Sequence, residues 1–126
     1  MSFRTPLAKV RGLGSAKEGA DHFWLTRLTA VSNIMLVCLF LGLIFRLIGQ
    51  DHAAVRAALA NPLVSIFLLL LIVSGTIHMR LGMQTIIEDY VTSEGRKVAA
   101  LMLNTFFAIL VALASIYAVL KLSFGA

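Results

Sequence analysis

The residues best suited to chemistry lie close together in one stretch, Ser74–Tyr90, which reads SGTIHMRLGMQTIIEDY. A histidine, an arginine, two acids and a tyrosine fall between His78 and Tyr90. Imidazole ligates metals or carries protons, and a tyrosine hydroxyl donates hydrogen bonds to carbonyl oxygens. Because the stretch begins inside an apolar run and ends in polar residues, we expect its chemistry at the edge of an apolar layer.

The composition indicates one short membrane domain. The chain has 126 residues, of which 60% are hydrophobic and 13% charged, and its mean hydropathy is +0.93. Soluble domains average about 25% charged residues. The net charge of +5 comes from basic residues at the ends of apolar runs, which fits orientation in lipid and argues against nucleic acid as a partner. The single cysteine, Cys38, cannot form an intrachain disulfide and gives no information on the compartment.

Three uncharged runs are long enough to cross a bilayer, which takes about 20 residues per helix. They are Leu28–Phe45, Ala57–Met79 and Val98–Leu120. Trp24 precedes the first run and Arg46 follows it, as residues of the membrane interface do. We therefore expect an all-α membrane protein with transmembrane helices over about residues 24–48, 58–82 and 97–121.

Signals for helix ends lie between these runs. Asn61-Pro62 is typical of a helix start, and it closes a short polar connection, Gly49–Asn61. The second helix is expected to continue past its apolar run to Ile87, because nothing there breaks it. Ser93-Glu94 suits a capped start of the third helix, with an acid in the first turn.

The basic residues predict the orientation, since they collect on the cytoplasmic side. Residues 1–23 are interpreted as a basic, loosely ordered arm in which Gly12, Gly14 and Gly19 interrupt any helix, and residues 24–126 as the membrane domain. With a cytoplasmic N-terminus, eight Lys and Arg residues lie inside and three outside. The inner eight are Arg4, Lys9, Arg11, Lys17, Arg27, Arg80, Arg96 and Lys97, and the outer three are Arg46, Arg56 and Lys121. The polar end of Ser74–Tyr90 is then expected on the cytoplasmic side, with the arm.

His78 is the one histidine within a predicted span, and ionisable groups at membrane depth mark candidate sites. Ser74, Gly75 and Gly82 lie three or four residues from it and share its helix face. Such a stripe of small residues allows the close approach of a flat group, such as a porphyrin ligated by the imidazole. It equally suits close packing between helices, with the imidazole bonded to a carbonyl. Another metal or a proton relay is also open.

A haem at His78 would require a second chain, because neither His22 nor His52 is well placed to supply the other axial ligand. We therefore expect a haem between chains and a heteromeric helix bundle. Arg27 and Arg80 lie at the same predicted edge, where arginine holds anionic propionates in bidentate fashion. Each is equally explained as a positive-inside anchor.

Asp89-Tyr90 suggests a quinone site at headgroup depth. The tyrosine hydroxyl would donate to a quinone carbonyl, and the carboxylate would set the local polarity. Tyrosine is also a common interfacial residue, which is the simpler explanation. Nothing indicates a hydrolase, a P-loop, a dinucleotide fold or a zinc site, since no phosphate loop and no paired Cys or His at ligand spacing occurs.

The pattern H-x-x-x-G-M-x-x-x-x-x-D-Y runs from His78 to Tyr90. It resembles the hydrophobic membrane anchors of succinate dehydrogenase, the smaller of that enzyme's two anchor subunits. His22–Ala30, HFWLTRLTA, is similar to that family's entry into its first helix, and RGLGSAKEG resembles the bacterial branch closest to mitochondria. The three-span layout matches too, so the resemblance covers most of the chain from about Asp21.

The resemblance implies a role for each matching residue. His78 would be one axial ligand of the iron of a b-type haem, with the other from a partner anchor, the cytochrome b556 subunit. Arg27 would lie near a haem propionate. Tyr90 would hydrogen-bond ubiquinone, with Asp89 beside it. No position in the family's pattern corresponds to Arg80, and some members carry two haems or none.

The resemblance also implies a complex in a bacterial inner membrane. A flavoprotein subunit with FAD and an iron–sulfur subunit with its clusters would sit on the cytoplasmic face, so this multi-pass chain would not itself oxidise succinate. Electrons would pass from succinate to quinone, in the tricarboxylic acid cycle and respiratory chain. A fumarate reductase anchor and a haem-free structural or assembly protein are rival interpretations. The alternative of a small transporter is less well supported, because the chain has only three predicted spans and one intramembrane ionisable residue.

Overall fold

The computed structural model describes Pro6 and residues 18–125, and in this part of the chain every regular element is a helix. Helix α1 is Glu18–Leu47, α2 is His52–Ala60, α3 is Pro62–Tyr90 and α4 is Glu94–Ser123. The all-α prediction is confirmed. The rest of the expected N-terminal arm, including Gly12 and Gly14, lies outside the described residues.

Three of the helices are long and apolar enough to cross a membrane, as predicted. Their candidate spans are Gly19–Leu47, Pro62–Tyr90 and Glu94–Ser123, of 29, 29 and 30 residues. At 1.5 Å per residue each is about 44 Å long, which matches a bilayer with its headgroups. Helix α3 continues through Ile87, as predicted, and ends at Tyr90. It begins at Pro62 and not near residue 58, because residues 58–60 belong to α2. Gly19 does not interrupt α1, although the sequence suggested that it would.

The connection after the first span contains a helix that the sequence analysis did not predict. Gly49, at φ 80°, follows α1 in a left-handed turn that favours glycine. The Asp51 carboxylate then accepts a hydrogen bond of 2.8 Å from the Ala54 backbone N–H and caps α2. Alanine is the best helix former, and α2, HAAVRAALA, holds five of them. The segment predicted as a polar connection is therefore largely helical.

Asn61 joins α2 to α3 as the prediction required. Its side-chain oxygen accepts a hydrogen bond of 3.0 Å from the Leu63 backbone N–H, and Pro62 occupies the first turn. The Ser65 hydroxyl then donates a hydrogen bond of 2.8 Å to the Leu59 carbonyl and holds α2 against α3. Ser93 precedes α4 as expected, but its side chain makes no capping hydrogen bond.

Helix α3 is the central element, since the most extensive contacts join it to α4 and to α1. Within the described part of the chain the buried side chains are few: Thr29, Ser65, Leu81, Ile87 and Ala108. Large apolar side chains on all three long helices face outwards, among them Phe45, Leu63 and Leu103. In water this surface would be unfavourable, whereas lipid and neighbouring membrane helices cover it without cost.

Arg80, whose role the sequence left open, lies where α3 meets α4. Its backbone carbonyl accepts a hydrogen bond of 3.0 Å from the Asn104 side-chain amide, and its Nε donates to the Thr105 hydroxyl at 3.4 Å. Interhelical hydrogen bonds of this kind contribute about 0.6 kcal/mol on average within membranes. Arg80 therefore helps to hold α3 against α4.

Candidate functional site around His78

The imidazole of His78 lies between α3 and α1, where it meets a threonine. His78 is half-buried, and its Nδ1 is 3.0 Å from the Oγ1 of Thr29. Thr29 is only 5% exposed. Its Oγ1 also lies 2.8 Å from the Leu25 carbonyl oxygen and 3.1 Å from that of Thr26. One nitrogen of His78 is therefore held by a buried side chain of a neighbouring helix.

The other ring nitrogen of His78, Nε2, makes no hydrogen bond to any residue that the structure describes. Among those residues, Nε2 of His22 is the single fully buried side-chain nitrogen or oxygen without a hydrogen-bond partner. Since His78 Nε2 also lacks a partner, it is not fully buried and is accessible from outside the chain. An imidazole with one nitrogen fixed and the other open has the arrangement that metal-ligating histidines commonly show.

Gly75 and Gly82 leave open space on the face they share with His78. A Cβ atom built on either glycine would meet no atom of the described chain within 4 Å. The glycines therefore do not serve close packing between helices of this chain, which was one of the two interpretations of the stripe. The surface is left for a group from outside: a partner helix, lipid or a flat ligand.

Ser74, the third small residue of the stripe, contacts α1. Its hydroxyl donates a hydrogen bond of 2.6 Å to the Asn33 side-chain oxygen and lies 3.5 Å from the Thr29 carbonyl oxygen. Ser74 thus joins α3 to α1 one helical turn from His78. Its part in the close approach of a porphyrin stays a prediction.

Arg27 lies on α1 at the depth of the imidazole. It precedes Thr29 by two residues, or about 3 Å along the helix axis. Its guanidinium carbon is 5.1 Å from the centre of the Phe23 ring, a cation–π contact within one helix. The side chain is exposed and makes no hydrogen bond to His78. Its charge is therefore available to an anionic group from outside the chain.

Asp89 and Tyr90 are not brought together with His78. They are the last two residues of α3, and Tyr90 is 80% exposed. Twelve residues separate Tyr90 from His78, which is about 18 Å along the helix axis. Nearby, the Gln84 side-chain amide donates a hydrogen bond of 2.9 Å to the Glu88 carboxylate. The end of α3 thus presents a phenol and a carboxylate outwards at a separate site from the imidazole.

Within residues 18–125 no group of three His, Cys, Asp or Glu side chains lies close enough to hold a metal ion. A metal at His78 would therefore have to bring most of its ligands with it, as a porphyrin does, or take them from another chain. That any haem here is shared with a partner stays a prediction.

Sequence analysis missed two residues of this site, Thr29 and Asn33. Both lie inside the first uncharged run, which was assessed only by its lack of charge. A signal was present, because these two polar side chains are four residues apart and so share a helix face. That spacing inside an apolar helix indicates contact with another polar helix face.

Comparison with known proteins shows extensive similarity. Residues 1–114 match the family described as Succinate dehydrogenase/Fumarate reductase transmembrane subunit. The succinate dehydrogenase hydrophobic membrane anchor subunit of Paracoccus denitrificans is 32% identical over 126 residues, covering 100% of this chain and 97% of that protein. Its counterpart in Rickettsia bellii is 34% identical over 119 residues, or 93% of this chain and 94% of the relative. The succinate dehydrogenase membrane anchor subunit of Reclinomonas americana is 35% identical over 98 residues, or 74% and 80%.

The similarity covers all three membrane-spanning helices and the stretch around His78. It confirms the resemblance found in the sequence, and with the three apolar helices it makes this a multi-pass membrane protein. This chain therefore belongs to the family of succinate dehydrogenase/fumarate reductase transmembrane subunits, among the hydrophobic membrane anchors of succinate dehydrogenase.

Proposed function

We propose that this chain is the membrane-anchor subunit of a succinate:ubiquinone oxidoreductase that ligates a b-type haem jointly with a partner anchor subunit. The observation that carries the proposal is the state of His78. Its Nδ1 is hydrogen-bonded to Thr29, and its Nε2 makes no hydrogen bond to any described residue. Two glycines lie beside it, and an added Cβ on either would meet nothing of the described chain within 4 Å. Imidazole is a usual ligand of haem iron, and a hydrogen bond to its other ring nitrogen orients the ring for binding.

The donor set fits haem better than a bare metal ion. A single imidazole without nearby Cys, Asp or Glu in the described chain is too little for a metal alone. His78 would ligate the haem iron together with an imidazole of the partner anchor, the cytochrome b556 subunit. When bound, haem supplies one-electron redox chemistry. Arg27, exposed and level with Thr29, would pair with a propionate through its guanidinium.

The second part of the proposal concerns the quinone, at the exposed end of α3. Tyr90 would hold its hydroxyl proton toward a ubiquinone carbonyl and orient the ring. Asp89, the adjacent residue, would keep the pocket polar, while nearby acids or water supply protons. A donor placed on the carbonyl stabilises the negative charge that grows on that oxygen during reduction.

The remaining reaction steps would belong to partner subunits. Succinate would be oxidised on a flavoprotein subunit with FAD, and an iron–sulfur subunit would carry the electrons to the membrane. This chain would provide no catalytic residue for succinate oxidation. It would link the soluble subunits to the lipid and to the quinone pool of the respiratory chain.

A fumarate reductase anchor is the nearest rival, because the matched family includes both enzymes. The similar proteins named above are succinate dehydrogenase anchors, which favours the succinate-oxidising direction. A haem-free structural or assembly protein is the rival of another class. It would need a partner helix, not a porphyrin, on the glycine face.

We place the chain in a bacterial cytoplasmic membrane with its N-terminus in the cytoplasm, as the eight-to-three distribution of basic residues predicts. In a Cys38→Ser background, Gln50→Cys in the α1–α2 turn should react with a membrane-impermeant maleimide added to intact spheroplasts. Thr92→Cys, between α3 and α4, should react only after permeabilisation. The reverse pattern would show that the orientation is wrong.

His78→Ala should remove the b-haem signal from the reduced-minus-oxidised spectrum of the purified complex. We expect the ratio of haem to covalent or bound flavin to fall by at least about tenfold. Loss of a residue that only hydrogen-bonds a metal ligand already lowers metal affinity by about 10- to 100-fold. His52→Ala, at the exposed start of α2, is the matched control and should keep the wild-type ratio. Full haem content in assembled His78→Ala complex would exclude His78 as a ligand.

Gly75→Leu tests whether the open face holds the macrocycle. A Cβ at this position meets nothing of the described chain within 4 Å, so the helices should still form, but the leucine would occupy space that a porphyrin needs. We expect haem content to fall by about tenfold or more, which is the effect of losing a residue that hydrogen-bonds a metal ligand. Gly42→Leu on α1, where a Cβ also meets nothing within 4 Å, should have no such effect. Equal haem content in both variants would contradict the placement.

Tyr90→Phe should reduce succinate–ubiquinone activity by about tenfold, the effect of losing a hydrogen bond of about 1.4 kcal/mol in the transition state. Activity with an artificial acceptor that bypasses the quinone site should persist. Tyr117→Phe, another exposed tyrosine on α4, is the control. Parallel loss of both activities in Tyr90→Phe would count against a quinone-orienting role.

A further inference from the structure

The hydroxyl of Thr29 has three polar neighbours and one proton. Its Oγ1 lies 2.8 Å from the Leu25 carbonyl oxygen, 3.1 Å from the Thr26 carbonyl oxygen and 3.0 Å from His78 Nδ1. The two carbonyl oxygens only accept hydrogen bonds, whereas Nδ1 accepts or donates according to the tautomer of the ring. Assigning the one hydroxyl proton therefore assigns the tautomer of His78.

The two possible assignments differ in how many hydrogen bonds they make. If the hydroxyl donates to Nδ1, its lone pairs face the carbonyl oxygens of Leu25 and Thr26, and one hydrogen bond results. If the hydroxyl donates to the nearer carbonyl, that of Leu25, its lone pair accepts from an Nδ1–H group. Two hydrogen bonds then form, and one carbonyl oxygen, that of Thr26, faces Oγ1 without a proton between them, instead of two.

We propose that Thr29 is a positioning residue that holds His78 as the Nδ1–H tautomer and so leaves the lone pair on Nε2. This inference rests on the proposed haem ligation, because only the lone-pair nitrogen can bind iron. The opposite tautomer would place a hydrogen on Nε2, at the open glycine face, and block coordination. Thr29 would therefore set the tautomer of His78 before a haem binds.

A second contact holds Thr29 and His78 in register. Asn33 follows Thr29 by four residues on α1, and Ser74 precedes His78 by four on the antiparallel α3. The Ser74 hydroxyl donates a hydrogen bond of 2.6 Å to the Asn33 side-chain oxygen. The two polar pairs thus form consecutive links between the helices, about 6 Å apart along their axes. Together with the burial of Thr29, this second link prevents α1 from sliding away from the imidazole.

The hydrogen bond also has an electronic consequence for a bound metal. An Nδ1–H group that donates to an oxygen makes the imidazole a more basic ligand at Nε2. A more basic axial ligand stabilises the oxidised iron relative to the reduced iron and lowers the reduction potential. Removing the acceptor should therefore shift the potential upwards.

The test compares Thr29→Val, which keeps the shape but removes the hydroxyl, with Thr29→Ser, which keeps the hydroxyl. Thr76→Val is the matched control, because Thr76 makes the same kind of bond to a carbonyl four residues earlier, at 2.7 Å, without touching His78. The complex is purified with all its subunits. The haem midpoint potential and the haem-to-flavin ratio are measured for each variant. Nitrogen-15 spectra of histidine-labelled complex from haem-deficient cells report the His78 tautomer, with its signal assigned from the His78→Ala complex.

We expect an Nδ1–H ring at His78 in the wild type, Thr29→Ser and Thr76→Val. In Thr29→Val a mixture of tautomers should appear, the potential should rise, and haem affinity should fall by about 10- to 100-fold. An Nε2–H ring in the wild type, or a Thr29→Val complex indistinguishable from Thr76→Val, would overturn the inference. A wild-type complex that never binds haem would instead refute the proposed function, while the tautomer measured in the same sample would still decide the role of Thr29.

Discussion

A polar imidazole inside an apolar helix is stable only if its nitrogens find partners, and the hydrogen bond between Thr29 and His78 supplies one of them. That bond links α1 to the central helix α3 and is reinforced one turn away by Ser74 and Asn33. The second nitrogen makes no hydrogen bond within residues 18–125, and the glycines beside it face open space there. Under the proposed function, a haem shared with a partner subunit would bind to this nitrogen.

The helices follow from the sequence because membrane spans are governed by length and apolarity, which are visible residue by residue. The start of α3 at Pro62 was predictable because Asn61 and Pro62 satisfy the end of a helix locally. Helix α2 was missed although Asp51 and its alanines signalled it, since a polar segment between spans was interpreted only as a connection. The early start of α1 could not be predicted from Gly19, whose cost of about 1 kcal/mol a long apolar helix outweighs.

The site was predictable to the extent that its chemistry lies in one residue type at an unusual depth. His78, Gly75 and Gly82 could be selected from one helix, because positions three and four apart share a face. Thr29 and Asn33 could not be paired with them, since a contact across 49 residues depends on how two helices dock. Arg80 illustrates the same limit: its sequence position suggested a membrane anchor, whereas docking places it against Asn104 and Thr105 of α4.

We propose that the face bearing His78, Gly75 and Gly82 binds a haem shared with a neighbouring subunit. A cryo-electron microscopy map of the intact complex in its native lipid tests it most directly. The account predicts macrocycle density against the two glycines, with iron bonded to His78 Nε2 and to a histidine of the partner subunit, and with Nδ1 still facing Thr29. A map in which the imidazole touches only protein or lipid would contradict it.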